Sequence, residues 1–457
     1  METDNNNKLG TQPVGRLLFN LALPAIAAQI INLLYNVVDR IYIGHIPGEG
    51  ALALTGVGVT FPVLILIAAF AALVGFGGAP RASIAMGKQD NKSAEEILGN
   101  CVVTLLILSV VLTVVFFVFA EPILYAFGAS EDTIGYALEY MRVYVLGTVF
   151  VQITTGLNAF ITSQGFAMTA MKTVMIGAGI NLVLDPVFIF VFSMGVRGAA
   201  IATVISQAVS AIWVFLFLTG KKTVLKIKKE NLHFNPSVIG PVLALGVAPF
   251  IMQATESILS VCFNTSLLKY GGDTAVGAMT ILSSVMQAAM MPIHGISQGM
   301  TPIVSYNYGA KKMDRVRKAF LLALAACVGY TLFLWLIAVS MPQVLARIFT
   351  PDETLIEYCA WAMPVYMAGT CIFGAQIACQ QTFVAMGKAV HSLFLAVLRK
   401  LILLIPLIYI LPRFFENKVF AVFLAEPVSD ILAVIATVTL FWFTVWKMFK
   451  QNDEKKN

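Results

Sequence analysis

Charge is scarce in this sequence. Asp, Glu, Lys and Arg together make up 12% of its 457 residues, against about 25% in an ordinary soluble protein. With 59% hydrophobic residues and a mean hydropathy of +0.85, a water-soluble globular chain is excluded. The six cysteines, Cys101, Cys262, Cys327, Cys359, Cys371 and Cys379, show no CxxC and no Cys/His ligand spacing. That argues against a disulfide framework or a transition-metal site, and they read as small buried apolar residues. HExxH, GxSxG and Walker-type sequences are also missing, and His45, His233, His294 and His391 are scattered among separate segments. No catalytic constellation remains, so neither an enzyme nor a bound cofactor is expected.

Long apolar runs are abundant. Twelve occur, at 17–43, 52–79, 97–119, 133–161, 173–196, 198–218, 238–268, 274–304, 319–341, 355–385, 389–411 and 419–446. A membrane-crossing helix needs about 20 residues, and lipid tolerates only helices or closed barrels. The runs are too long and too uniformly apolar for barrel strands, so the expected fold is an all-α polytopic membrane protein with twelve transmembrane helices. The first run exceeds the about 7–15 apolar residues of a signal peptide and carries Pro24 and Asp39, so it is expected to stay in the mature protein. With the N-terminus placed in the cytoplasm, 21 of the 30 Lys and Arg residues fall in inner segments and six in outer ones. The positive-inside rule then predicts a cell-membrane protein with both termini cytoplasmic. The basic run at 221–229 reads as the linker between halves, with anionic lipid the lesser reading and no nucleic-acid partner expected.

The two halves repeat at an offset of about 222 residues. Val143-Tyr144-x-x-Gly147-Thr148 recurs as Val365-Tyr366-x-x-Gly369-Thr370, and Asn158, Gly165, Pro80 and Gly87 fall onto Gln380, Gly387, Pro302 and Gly309. Ser206-Gln207 falls onto Ser429-Asp430 at 223. This divides the chain into an N-lobe (1–218), a linker (219–236) and a C-lobe (237–457). Six spans per half make the repeat parallel, the arrangement of two lobes that rock around a central cavity. A channel is the poorer reading of such an architecture.

Polar side chains within the spans are few, and each needs a partner or a role. Asn32, Tyr35, Asn36 and Asp39 share a face of the first span, and Asn181 and Asp185 are one turn apart in the fifth. With Asn158 in the fourth span and Thr203 and Gln207 in the sixth, the N-lobe holds carboxylates, amides and a hydroxyl suited to a small cation. Two carboxylates close together also resist joint ionisation, so proton exchange is the other reading. In the C-lobe, Gln253, Glu256, Ser260 and Asn264 share one face, and Arg399, Lys400, Glu426 and Asp430 form an expected structural charge cluster in which Arg399 pairs with Asp430. Glu256 has no obvious partner, which makes it a functional candidate. Methionines crowd the eighth span, Met286 and Met290 among them, and a thioether lining suits a cavity that takes varied ligands.

Leu21-Ala22-Leu23-Pro24, Tyr35-Asn36-Val37-Val38-Asp39, the stretch from Pro80 to Gly87, and Asn181-Leu182-Val183-Leu184-Asp185-Pro186 resemble the multidrug and toxic compound extrusion (MATE) transporters, most closely their MepA-like branch. The resemblance implies two six-helix lobes and export of organic, often cationic compounds by antiport with protons or sodium ions. It also implies a cation-coupling set of Asp39, Asn158, Asn181, Asp185 and Thr203, and a bend at Pro24. Glu256 is similar to a glutamate of the NorM branch, whose further aspartate in helix ten has no counterpart here. Tyr35, Asn36, Gln253, Glu256, Met286 and Met290 are the expected substrate-cavity residues, and a monomer working on small organic molecules in lipid is expected. The alternative within transport is a flippase for lipid-linked precursors, which calls for a cationic cavity.

Overall fold

The computed structural model describes residues 8–454; residues 1–7 and the tail lysines Lys455 and Lys456 lie outside the described residues. Every regular element among the described residues is a helix. Those that build the lobes are α1 (Val14–Gly44), α2 (Gly50–Gly87), α3 (Asn91–Val118), α4 (Ile134–Leu146), α5 (Thr148–Ser163), α6 (Ala167–Pro186) and α7 (Gly195–Thr219) in the first half. The second half has α8 (Pro236–Gly309), α9 (Met313–Ser340), α10 (Glu353–Tyr366), α11 (Thr370–Ala385), α12 (Ala389–Val397) and α13 (Lys418–Phe441). Nine described helices are long and apolar enough to cross a membrane, or up to eleven if each of two bent pairs is one span. The 74-residue α8 counts once in that tally, although its backbone breaks at Gly272 (φ 67°). Twelve spans therefore depend on reading α8 as two passes.

The repeated motif marks a helix break in both halves. α4 and α5 meet at 57° around Gly147, and α10 and α11 at 49° around Gly369. In each half the threonine after the glycine starts the next helix, and the Thr148 hydroxyl donates to the freed Val145 carbonyl at 2.7 Å. Gly165 and Gly387, another repeat pair, both sit at positive φ (87° and 71°), which only glycine adopts without strain.

The halves also touch reciprocally. A Cβ on Gly87 would lie 2.0 Å from the Tyr306 carbonyl oxygen, and one on Gly309 would lie 2.0 Å from the Ile84 carbonyl oxygen. Since Ile84 and Tyr306 are themselves one repeat apart, this is the self-complementary contact of a two-fold axis. The same exchange occurs further along: Gly77 packs on Val242 and Gly246, while Gly299 and Gly295 pack on Ala22 and Ile26. Small residues let the backbones approach, as van der Waals packing in lipid requires.

This seam lies toward the end that carries both termini. One apolar core there includes Leu9, Val14 and Met86 together with Met300, Val316 and Phe441. At the opposite end each half keeps its own core, around Val57, Leu124 and Met141 in the first and around Leu267, Leu282 and Phe423 in the second. The lobes are thus joined at one end only.

Candidate functional site

Between the lobes lies a cavity of about 370 Å³, within the range of roughly 300–1,000 Å³ usual for small-ligand sites. α1, α5, α6 and α7 face it from the first lobe, and both arms of α8 with α11 face it from the second. Asn32, Tyr35, Asn158, Asn181, Thr203, Gln207 and Gln253 all reach its wall.

Behind that wall, α1 and α6 bring two carboxylates together. Asp185 is fully buried and accepts from Asn181 Nδ2 at 2.9 Å, and the same nitrogen lies 3.4 Å from Thr203 Oγ1. Asp39 sits against Asp185, with Tyr35 and Tyr140 beside it. Asp39 Oδ1 and Asp185 Oδ2 are both buried with no hydrogen-bond partner. Unsatisfied buried oxygens are costly, and these two carboxyl groups share one buried place. α6 runs through Pro186 into a π-helical turn, Val187–Val191, so the Asp-Pro pair does not end the helix. Asn158 joins none of these groups by a hydrogen bond among the described residues; its Nδ2 donates to the Ala170 carbonyl at 3.2 Å and its Oδ1 has no partner.

Arg399 and Lys400 share the π-helical turn Leu398–Leu404. Arg399 donates to Asp430 at 2.8 Å and to Glu426 at 3.1 Å, and stacks over the Phe373 ring at 4.3 Å. Lys400 Nζ meets Glu256 Oε1 at 2.7 Å. The second-lobe charges therefore form one network, and Glu256 belongs to it rather than standing without a partner.

Four expected cavity residues lie elsewhere. Glu256 is held back by Lys400, and Asn36 donates to the Asn32 carbonyl of its own helix at 2.6 Å. Met290 is buried with Ile293, Cys327 and Phe373, and Met286 packs against the same group; their stripe faces the lobe core. Met171 and Met252 line the cavity in their place, and so do Gln29, His294, Gln298 and Thr301. The last three recur at one-turn spacing on α8, a signal the sequence carries in the spacing 294, 298 and 301. Pro24 lies within the unbroken α1, between the seam contacts at Ala22 and Ile26.

The MatE family model matches the chain twice, over residues 24–187 and 249–410. The chain belongs to the MatE family. Among curated relatives of this MatE protein are the multidrug export protein MepA of Staphylococcus aureus (strain N315), 23% identical over 433 residues and 94% of each chain, and MepA of Staphylococcus haemolyticus, 22% identical over 429 residues and 93% of each. Its fold is shared with a solved multidrug resistance MATE family transporter of the MOP superfamily in an outward-facing conformation (TM-score 0.89, 23% identity, 97% of this chain and 98% of that one). A MATE structure in a bent conformation aligns at a TM-score of 0.90, with 22% identity and 98% of each chain covered.

Proposed function

We propose that this membrane protein exports small organic molecules from the cell in exchange for protons or sodium ions, by alternating access between its lobes. The observation that carries the reading is the carboxylate pair of Asp39 and Asp185, whose unpartnered oxygens sit directly behind a cavity wall made in part by Asn181 and Thr203. Oxygen ligands of that kind hold a proton or a small cation. The MepA relatives, named for multidrug export, support drug-sized organic solutes as the cargo.

α1 supplies the coupling between ion and movement. Its Asp39 faces α6 at the carboxylate pair, while its Ala22 and Ile26 form the inter-lobe seam with Gly299 and Gly295. Pro24 between them removes one helical hydrogen bond, so a change of charge at Asp39 is felt where the lobes meet. On the orientation expected from the basic loops, with both termini cytoplasmic, the joined end of the lobes faces inward and the cargo leaves outward. Each charge carried across 100 mV supplies about 2.3 kcal/mol.

The flippase reading fares worse on one observation: among the described residues the cavity wall holds no Lys or Arg to neutralise a diphosphate. Dye efflux from membrane vesicles, with sodium and proton gradients imposed separately, tests the proposal. Efflux driven by one of the two is expected; efflux indifferent to both would sink it.

A further inference from the structure

The basic stretch 219–236 joins the lobes in sequence, yet it is anchored to the first of them. Gln164, fully buried in the turn between α5 and α6, holds it with one carboxamide oxygen, which accepts from the Thr223 hydroxyl at 2.9 Å and from the Val224 and Leu225 amides at 2.8 and 2.9 Å. The Gln164 nitrogen donates to the Phe160 carbonyl at 3.0 Å, which fixes the aim of that oxygen. Thr223 and Leu225 are themselves buried. Further along, Glu95 in the first turns of α3 accepts from the Lys226 amide at 3.3 Å and pairs with Lys228. Lys228 is 44% exposed, so the ion pair adds little by itself. The last anchor is Asn100, fully buried on α3, whose Oδ1 accepts from the Asn235 amide at 2.7 Å. Asn235 in turn caps α8 by accepting from the Ser237 amide at 3.1 Å. The repeat shows that these anchors are not part of the common scaffold. One repeat further on, Gln164, Glu95 and Asn100 become Met386, Arg317 and Leu322, whose side chains have no oxygen to offer an amide. The acceptors occur only in the half that the connecting segment leaves.

Resting on the export reading above, we infer that Gln164, Glu95 and Asn100 are positioning residues for transport: they make the linker part of the first lobe and fix the foot of α8 as the point about which the lobes turn. A slack tether would let the joined end part anywhere along its edge. A pinned one keeps the edge between α3 and α8 closed and leaves the opening to the rest of the seam. Unzipping the linker instead would strand the Gln164 oxygen and the main-chain amides it serves in a buried place, which is costly. Gly77 holds the same edge from α2, where it packs on Val242 and Gly246 near the start of α8.

Hydrogen exchange and vesicle dye efflux on the full-length protein test this. Gln164→Met, which installs the second half's residue, is expected to speed exchange at residues 223–227 at least tenfold and to cut efflux at least threefold. Asn100→Leu, the second half's residue at its own position, serves should the first variant fail to fold, with the faster exchange then read at Asn235. Gln164→Glu keeps the accepting oxygen and should restore most of both readouts, which a space-filling role would not distinguish from Gln164→Met. Joining the linker to the lobe covalently, through a bis-maleimide bridge between Glu95→Cys and Lys228→Cys, should leave efflux within about twofold of the same variant unbridged. Loss of efflux on bridging would overturn the inference, because the linker would then have to leave the lobe in each cycle. Full efflux from Gln164→Met with its linker exchanging fast would overturn it too, as would fast exchange at 223–227 in the unmodified protein. Efflux indifferent to both ion gradients would instead overturn the exchange reading, while slow linker exchange released by Gln164→Met would leave the linker's place in the first lobe standing.

Discussion

Gln207 and Asp430 occupy equivalent places in the two repeats and have opposite fates. Gln207 faces the cavity with no side-chain partner among the described residues, whereas Asp430 is buried and held by Arg399 at 2.8 Å. The contrast extends across the lobes. In the first, Asp39 and Asp185 adjoin each other and keep oxygens without partners; in the second, both bases are bonded to carboxylates. The repeated scaffold thus crowds two carboxyl groups with no ion pair in bonding distance among the described residues on one side, and pairs its carboxylates with bases on the other.

The largest effect expected from this difference is on transport. Asp39→Asn and Asp185→Asn should each reduce vesicle efflux more than tenfold, about 1.4 kcal/mol or more, while the unfolding temperature in detergent holds or rises because one of two crowded buried carboxyl groups is removed. Full efflux in either variant breaks the comparison at once. Arg399→Leu should do the reverse. It strands Glu426 and Asp430 as buried carboxylates, at a cost of about 3–5 kcal/mol, read as a lower unfolding temperature and less protein in the membrane. Pairing it with Asp430→Leu should recover part of the loss; no recovery would mean that Arg399 acts otherwise than by its ion pairs.

Much of this was legible beforehand because lipid makes polarity expensive. Asn181, Asp185 and Thr203 stood out as rare polar residues at helical spacing, and the structure bonds Asn181 to both of the others. The repeat was legible from its glycines and prolines, since close approach and helix breaks permit few residue types. Pairing across helices distant in sequence was not legible: a separation of 144 positions between Glu256 and Lys400 hides the ion pair they make. Nor does periodicity say which way a stripe faces, so Met286 and Met290 fitted a cavity wall as well as the core they join. The break at Gly272 falls between two apolar runs, 238–268 and 274–304, and was legible as a span boundary, whereas the bends at Gly147 and Gly369 fall inside runs that hydropathy reads as uniform.

The two-fold seam is a place where the lobes should respond alike. Gly87→Ala and Gly309→Ala each drive a methyl group into a carbonyl of the opposite half, and overpacking of this kind costs about 1–3 kcal/mol. Both variants should open the terminus-bearing end, measured as faster maleimide labelling of Ser83→Cys, a position fully buried beside Pro302. Unequal effects would show that the seam is less symmetric than its geometry.

The smallest expected effect separates the lobes again, at equivalent turns. Gln89 and Lys311, one repeat apart, both take positive φ (63° and 59°) as α2 and α8 end. The next residue then differs. Asp90 caps α3 by accepting from the Ser93 amide at 3.0 Å, so Asp90→Ala should cost about 1 kcal/mol in thermal unfolding. Lys312, at the start of α9, makes no side-chain cap bond and instead donates to the Gly10 carbonyl at 2.9 Å. Arg315 adds bonds to the Leu9 and Gln12 carbonyls at 3.1 and 2.6 Å. Lys312→Ala should therefore leave α9 intact and loosen the segment before α1, seen as faster hydrogen exchange at residues 9–12 with little change in unfolding temperature. If Lys312→Ala lowers stability as much as Asp90→Ala does, the two turns serve one purpose and the second lobe's tie to the N-terminal segment is incidental.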